Sequence, residues 1–251
     1  MKDKLPSLEE LLKAGVHFGH KKERWNPKMQ PFIFSIRDNT SIIDLDKTQE
    51  YLQLALNYIE KLISDNKIIL FVGTKKQVQD LIAQVENFDL PYINNRWLGG
   101  TLTNFETIKK NLQKIKKLEK EQEQGGWKEL TKFEQTKKTE ELKKLIKKFG
   151  GIKNLEKLPD ALFVVDTNRE KVAIHEARNL DIPIIALVDS NSNPDEITCP
   201  IPANDDAVRS LELILGVFFD KIKEVQAKTK KTSKKTDKSR KSQKEKNKDE
   251  G

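Results

Sequence analysis

The chain has one cysteine, Cys199, in 251 residues, so no internal disulfide can brace it. It has no run of 18 apolar residues, so no segment is expected to span a bilayer. Its first residues, MKDKLPSLEELLKAG, lack a continuous apolar stretch and carry acids, which argues against a secretory leader. These features together point to the cytosol. Walker-type G-x-x-x-x-G-K-[ST], G-x-G-x-x-G, C-x-x-C and H-E-x-x-H patterns are all missing, so the usual nucleotide, redox and zinc signatures are missing too. Arginine is scarce, 7 residues against 40 lysines. Hydrophobic residues make up 36% and charged residues 34%, a less apolar balance than an ordinary globular chain has. Part of the chain builds a core, and part does not.

What is present in excess is lysine, and its placement is uneven. Residues 226–251 hold 11 Lys/Arg against 4 Asp/Glu, a net +7. Residues 105–150 hold 14 against 8, a net +6. The remainder holds 22 against 27, a net −5, which leaves +8 for the whole chain. Cationic appendages around a slightly acidic body suit a large polyanion, because clustered cations release its counterions. A solubilising tail and a solvated helix face account for the same charges less specifically.

Hydrophobic spacing gives the architecture. Ser7 and Glu10 form a capping-box pair ahead of a short helix that Gly15 stops. The segment from Val16 to Phe34 reads as irregular, rich in Gly, Pro, aromatics and bases. Ile42–Ile43, 67–72, 91–93, 161–165 and 184–188 read as short apolar strands. Residues 47–64, 75–87, 169–180 and 206–225 read as helices. Short, uniformly apolar strands alternating with helices predict an α/β fold, a doubly wound parallel sheet covered on both faces. The core is therefore discontinuous, 1–104 and 151–225.

Residues 105–150 break that rhythm. Ile108, Leu112, Ile115 and Leu118, then Leu142, Leu145, Ile146 and Phe149, make thin apolar stripes on Lys/Glu-rich helices, with Gly125-Gly126 between them. This predicts an inserted antiparallel helical, coiled-coil-like hairpin that protrudes with its lysines available. Residues 226–251 have no aromatic and no aliphatic side chain but Ala227, so disorder is expected there.

Two segments mix aromatics, amides, glycines and cations in loops: His17 to Met29 and Asn95 to Asn104. Aromatic faces and guanidinium planes stack on unpaired bases, while lysines and backbone N–H groups hold phosphates. The candidate RNA-binding residues are Lys21, Lys22, Arg24, Trp25, Lys28, Arg96 and Trp97, with Lys109 and Lys110 on the hairpin. Trp25 and Trp97 serve equally well as plugs where the loops meet the body. Arg24 and Arg96 stand out because a lysine-rich chain spends arginine where fork geometry helps. Val72-Gly73-Thr74-Lys75-Lys76-Gln77 joins a strand to a helix, so Lys75 and Lys76 are candidates for a phosphate at a helix start. His17 and His20 are three apart but lack partners for zinc. Asp189, Asp205 and Asp206 could gather around a hard cation, yet Asp205 also suits the N-cap of the last helix. No metal site and no cofactor are assigned, and Cys199 has no neighbouring base.

The stretches AGVHFGHKKERWNPKMQPFIF (14–34), IIDL (42–45), VGTKKQ (72–77), NRWLGGTLTNF (95–105), LPDALFVVD (158–166) and IPANDDAVRS (201–210) occur in one order. In that order they resemble the signature stretches of the bacterial small-subunit ribosomal protein S-two family, over about residues 7–225. The resemblance implies a flavodoxin-like α/β domain with an inserted helical hairpin. It also implies a structural role on small-subunit ribosomal RNA beside neighbouring ribosomal proteins, late entry into assembly and recruitment of ribosomal protein S-one. Three places depart from the family pattern: Asp38-Asn39-Thr40, where a glycine is usual; Asp189-Ser190-Asn191-Ser192-Asn193-Pro194, for D-T-N-x-D-P; and Ala203, for glycine.

Two other readings compete. A nucleotide- or sugar-phosphate-binding α/β enzyme would use the strand-end crevice of the same fold, but it needs a nucleophile, base or cofactor loop that the sequence does not offer. A module binding only protein would use the hairpin as its contact. The expectation carried forward is a ribosome-bound, cytoplasmic, non-enzymatic protein with no membrane partner and no small-molecule substrate.

Overall fold

The computed structural model describes residues 5–246, with side chains to Thr229. Helix α1 (Leu8–Lys13) opens on the capping box: the Ser7 side chain accepts from the Glu10 N–H, and Glu10 accepts from the Ser7 N–H at 2.7 Å. Gly15, at φ +75°, ends it. The segment expected to be irregular contains β1 (Phe18–Lys21), two 3₁₀ turns (Lys22–Arg24 and Pro27–Phe32) and β2 (Ile33–Arg37). With β3 (Thr40–Ile43) these form a three-stranded antiparallel sheet in the order β1-β3-β2. The two-residue turn between β2 and β3 is Asp38-Asn39, both at positive φ. That is the primed hairpin turn these residues tolerate without glycine.

The main sheet comprises β4 (Ile69–Val72), β5 (Tyr92–Ile93), β6 (Ala161–Val165), β7 (Ile184–Val188) and β8 (Cys199–Pro202), all parallel, in the order β5-β4-β6-β7-β8. Counting only these strands, the order is the flavodoxin-like 2-1-3-4-5, with its switch point between β4 and β6. Pro200 and Pro202 hid β8 from the sequence reading. An edge strand tolerates them because one side needs no ladder donor.

Alternate strand residues enter two cores. Ile69, Phe71, Phe163, Val165, Ile185 and Leu187 face one side. There they meet α2 (Leu45–Ser64), α3 (Gln79–Ala83) and the packed part of α7 (Val208–Lys246). Leu70, Val72, Leu162, Val164, Ala186 and Val188 face the other side, towards α6 (Lys171–Asn179) and the insertion. The sheet is thus covered on both faces, as its apolar strands require.

The insertion is α4 (Phe105–Glu123) followed by α5 (Lys132–Phe149). Ion pairs join Lys114 to Glu141 and Lys138 to Glu121, so one number falls as the other rises and the helices run antiparallel. Ile108, Leu112, Ile115, Leu118, Trp127 and Leu142 are buried between them, in one cluster with the sheet face. The helix expected over 75–87 is shorter: a turn, α3, then a 3₁₀ segment to Phe88. Past Val225, buried in the core, helical backbone runs on to Lys246 through the segment expected to lack order. No Pro or Gly interrupts that stretch, and its lysines favour helix over other regular structure. The rest of the tail, 247–251, lies outside the described residues.

Candidate nucleic-acid interface

Most of the candidate cations cluster in sequence just past strand ends. Lys21 ends β1, and Lys22 and Arg24 follow it in a 3₁₀ turn. Lys76 follows β4 and Arg96 follows β5, while Lys110 lies in the first turns of α4. All six are exposed, Lys109 is half-buried, and none of the seven has an ion pair among the described residues. Lys28 is exposed too but reaches Asp195 at 2.7 Å. A pair that open to water contributes about 0–1 kcal/mol and exchanges easily for another anion. Trp25 is half-buried against the core, its indole N–H buried without an acceptor among the described residues.

The second loop is held by one carboxylate. Glu176, 5% exposed, lies on the inner face of α6. It accepts from Trp97 Nε1 at 3.0 Å and from the N–H groups of Gly100, Leu102 and Thr103 at 2.8, 2.9 and 3.1 Å. The Thr103 hydroxyl adds a fifth bond at 3.1 Å. Burial pushes this carboxyl up, but the donors outweigh it and hold its pKa below the usual value. Gly100, at φ +86°, supplies the turn that aims its N–H there. Trp97, 8% exposed, is therefore a plug and not a base-stacking surface, which corrects its candidacy. Arg96 projects from the clamped loop, and Asn95 Nδ2 donates to the Lys147 carbonyl of α5 at 3.2 Å. Arg96 thus stands at the root of the hairpin, near Lys147 and Lys148.

The strand-end crevice is filled from within. Lys75 Nζ lies 3.2 Å from Asp166, 3.0 Å from Asp205 and 2.5 Å from Asp206. Its ammonium is engaged by three acids, so Lys75 is withdrawn as a phosphate ligand. Burial works to lower its pKa, but the carboxylates prevail and raise it. The Thr74 N–H donates to Glu170 at 3.1 Å, which removes a donor from the expected phosphate cradle. Gly19 of β1 lies against Ser190 after β7: a Cβ at Gly19 would come 2.6 Å from the Ser190 hydroxyl. His20 N donates to that hydroxyl at 2.7 Å. Where doubly wound enzymes seat ligands, this chain seats its own first strand.

His20 sits between two carboxylates, with Nδ1 3.1 Å from Asp189 and Nε2 3.3 Å from Asp206. The contact with Asp189 raises the ring's pKa over the opposing effect of burial. Asp205, buried and facing Asp189 and Asp166, is pushed up to about 7. No hydrogen bond from the last helix reaches its carboxylate among the described residues; Asn204 turns the chain ahead of that helix, accepting from the Asp206 and Ala207 N–H groups at 2.8 and 3.1 Å. Ligand-type atoms of His20, Asp189 and Asp206 lie within 4.8 Å of one another, but Lys75 and the imidazole already face these carboxylates. Cys199 is half-buried in β8, and burial raises its thiol pKa.

An open apolar groove of about 740 Å³ lies between α1 and the three-stranded sheet. Leu12, Phe18 and Phe34 line it at 55%, 51% and 69% exposure. Its rim holds Glu9, Asp38, Asp44 and Asp46 against Arg37. Sequence reading missed this groove because β1 and β2 were not recognised. It missed Glu176 as well, although an acid inside the apolar run Ala173, Ile174, Ala177 was the available signal.

Residues 11–225 match the family described as Ribosomal protein S2. The chain is 49% identical over 219 residues to Small ribosomal subunit protein uS2 of Borreliella burgdorferi strain ATCC 35210, an alignment covering 87% of this chain and 84% of that protein. It is equally similar, with the same coverage, to the protein of that name from strain ZS7.

Proposed function

This chain belongs to the ribosomal protein S2 family, and we propose from that premise that it is a structural constituent of the small ribosomal subunit that holds ribosomal RNA without making or breaking bonds. The observation that supports RNA contact is the set of unpaired cations: Lys21, Lys22, Arg24, Lys76 and Arg96 at or just past strand ends and Lys109 and Lys110 on α4, none with an ion pair among the described residues. Phosphates complete such a surface, and Arg24 and Arg96 add forks that grip two oxygens or stack on a base. The hairpin extends the same field through Lys143, Lys144, Lys147 and Lys148, which also lack ion pairs among the described residues.

The apolar groove gives a neighbouring protein its seat, and ribosomal protein S-one is the occupant we assign. An acidic rim around apolar walls suits a segment with one apolar face and basic flanks. Late entry into assembly, which the family resemblance implies, belongs to the same reading. The protein therefore works bound to ribosomes in the cytoplasm.

Tagged chain should sediment with small subunits at low salt and leave them as salt rises. Sedimentation only at the top of the gradient at every salt concentration would refute the proposal. Phe34→Glu should leave small-subunit binding intact and lower the S-one content of those subunits. Unchanged S-one content would remove the groove from the account.

A further inference from the structure

Helix α6 lies between the two loops singled out by composition, and its outer side faces a second concavity. Asn26 comes from the first loop, and the loop after β7 supplies Asn191 and Asn193; together with α6 they enclose a polar pocket of about 550 Å³. That volume is within the range of about 300–1,000 Å³ usual for ligand pockets. The helix contributes Lys171, His175 and Arg178, spaced four and three, so all three lie on one side.

The wall is braced. Asn168 Nδ2 donates to Asn191 Oδ1 at 2.8 Å and to Ser192 Oγ at 3.1 Å. Asn26 N donates to the Ser190 carbonyl at 2.9 Å, and Asn193 Nδ2 to Glu196 at 2.7 Å. These bonds fix the loops but leave the Nδ2 groups of Asn26 and Asn191 without an acceptor among the described residues. Lys171, His175 and Arg178 have no side-chain hydrogen bond or ion pair there either.

Lys171 is unexplained by the helix itself. It is the first residue of α6, whose first turn has no acid and whose N-cap, Glu170, makes no capping bond. A cation there opposes the helix dipole, so it works against local stability. Arg178, in the last turn, agrees with the dipole, but it is also one of only 7 arginines. The one acid lining the pocket, Glu196, is taken up by Asn193 and pairs with none of its cations. Unpaired cations, free amide donors and an imidazole in a pre-braced concavity are the means by which proteins take hold of an extruded nucleotide. A protein side chain of the anchoring kind would want an apolar pocket, and only Ile174 here is aliphatic.

We infer that this pocket receives one unpaired nucleotide of the bound RNA, its phosphate on Lys171 and Arg178 and its base edge on the Asn26 and Asn191 amides. The inference rests on the RNA-binding reading above and names a site within it. His175 closes the pocket between the two cations.

The test uses small subunits stripped of this protein and rebinding of the full chain. Lys171→Gln with Arg178→Gln should weaken rebinding at least tenfold. It should also make the slope of log K against log salt shallower by about 0.7, the loss of one single-strand phosphate contact. Both side chains are exposed, so the melting curve should not move. If it does, a photo-crosslinker at His175 in the otherwise native chain carries the test, and its adduct should map to a nucleotide outside any RNA helix. Wild-type chain that fails to rebind overturns the RNA reading and this site together. Wild-type rebinding that the double variant matches overturns the site alone, and so does an adduct on a neighbouring protein.

Discussion

The crevice at the strand ends and the rim around it are built from the same residue types and use them in opposite ways. In the crevice, Lys75, Asp166, Asp205, Asp206 and His20 neutralise one another, and β1 fills the space. On the rim, Lys76 stands one residue from Lys75 with no acid partner among the described residues. A fold whose crevice often serves chemistry has here closed it with its own charges and kept its free cations outside. Fold class alone does not carry that distinction; the pairing of individual side chains does.

The largest test of the comparison concerns the clamp beneath the second loop. Glu176→Ala should destabilise the chain by about 3 kcal/mol or more, since it strands the Trp97 indole N–H and three backbone N–H groups. A denaturant titration measures it. A loss under ~0.5 kcal/mol would mean the loop does not depend on α6.

Adjacent lysines sharpen the comparison next. Lys75→Met should cost about 3 kcal/mol because it leaves buried carboxylates unpaired. Lys76→Met should change stability by less than ~0.5 kcal/mol and lower affinity for small subunits instead. Equal effects on folding would erase the line between crevice and rim.

The crevice also predicts a pH response that the rim lacks. The His20 pKa is raised, so its stabilising effect is full below the unfolded value and fades as pH rises through the folded one. Asp205 is held up to about 7, so the folded chain keeps a proton that the unfolded chain releases, and stability is lost as pH rises from the unfolded carboxyl value to about 7. Both act in one direction, and melting temperature should fall as pH rises from roughly 4 to beyond 7, with Asp205 acting over the lower part of that range and His20 over the upper part. Asp205→Asn should flatten that fall, which melts in matched buffers would record. Glu176 acts oppositely, its contribution fading as pH drops through its lowered pKa.

The smallest expected effect is truncation after Thr229. It removes cations and keeps every side chain described as buried, Val225 included, so the melting curve should stay within a degree or two while subunit binding weakens modestly.

Much of the fold was legible because its signal is apolar spacing. The strands at 161–165 and 184–188 and the helix at 47–64 lie where the periodicity put them, within two residues. What was hidden was set by contacts distant in sequence. Strand β1, written Phe-Gly-His-Lys, has no alternation of its own; it exists because it pairs with β3 and seats Gly19 on Ser190. At the candidate interface, residue type marked the cations well, and exposed Lys22, Arg24 and Arg96 are where composition pointed. It could not separate Lys75 from Lys76, nor show that Trp97 faces Glu176, because those outcomes depend on acids some 75 to 130 residues away.

The most direct measurement compares wild-type chain with Arg24→Glu/Arg96→Glu in rebinding to stripped small subunits over a range of salt. Rim cations that hold phosphates require a steep fall for the wild type. The variant should bind more than tenfold more weakly, with a slope shallower by roughly 1.4 to 1.8 and the same melting curve. A wild-type affinity indifferent to salt, or a variant that rebinds as well as the wild type, would contradict the account.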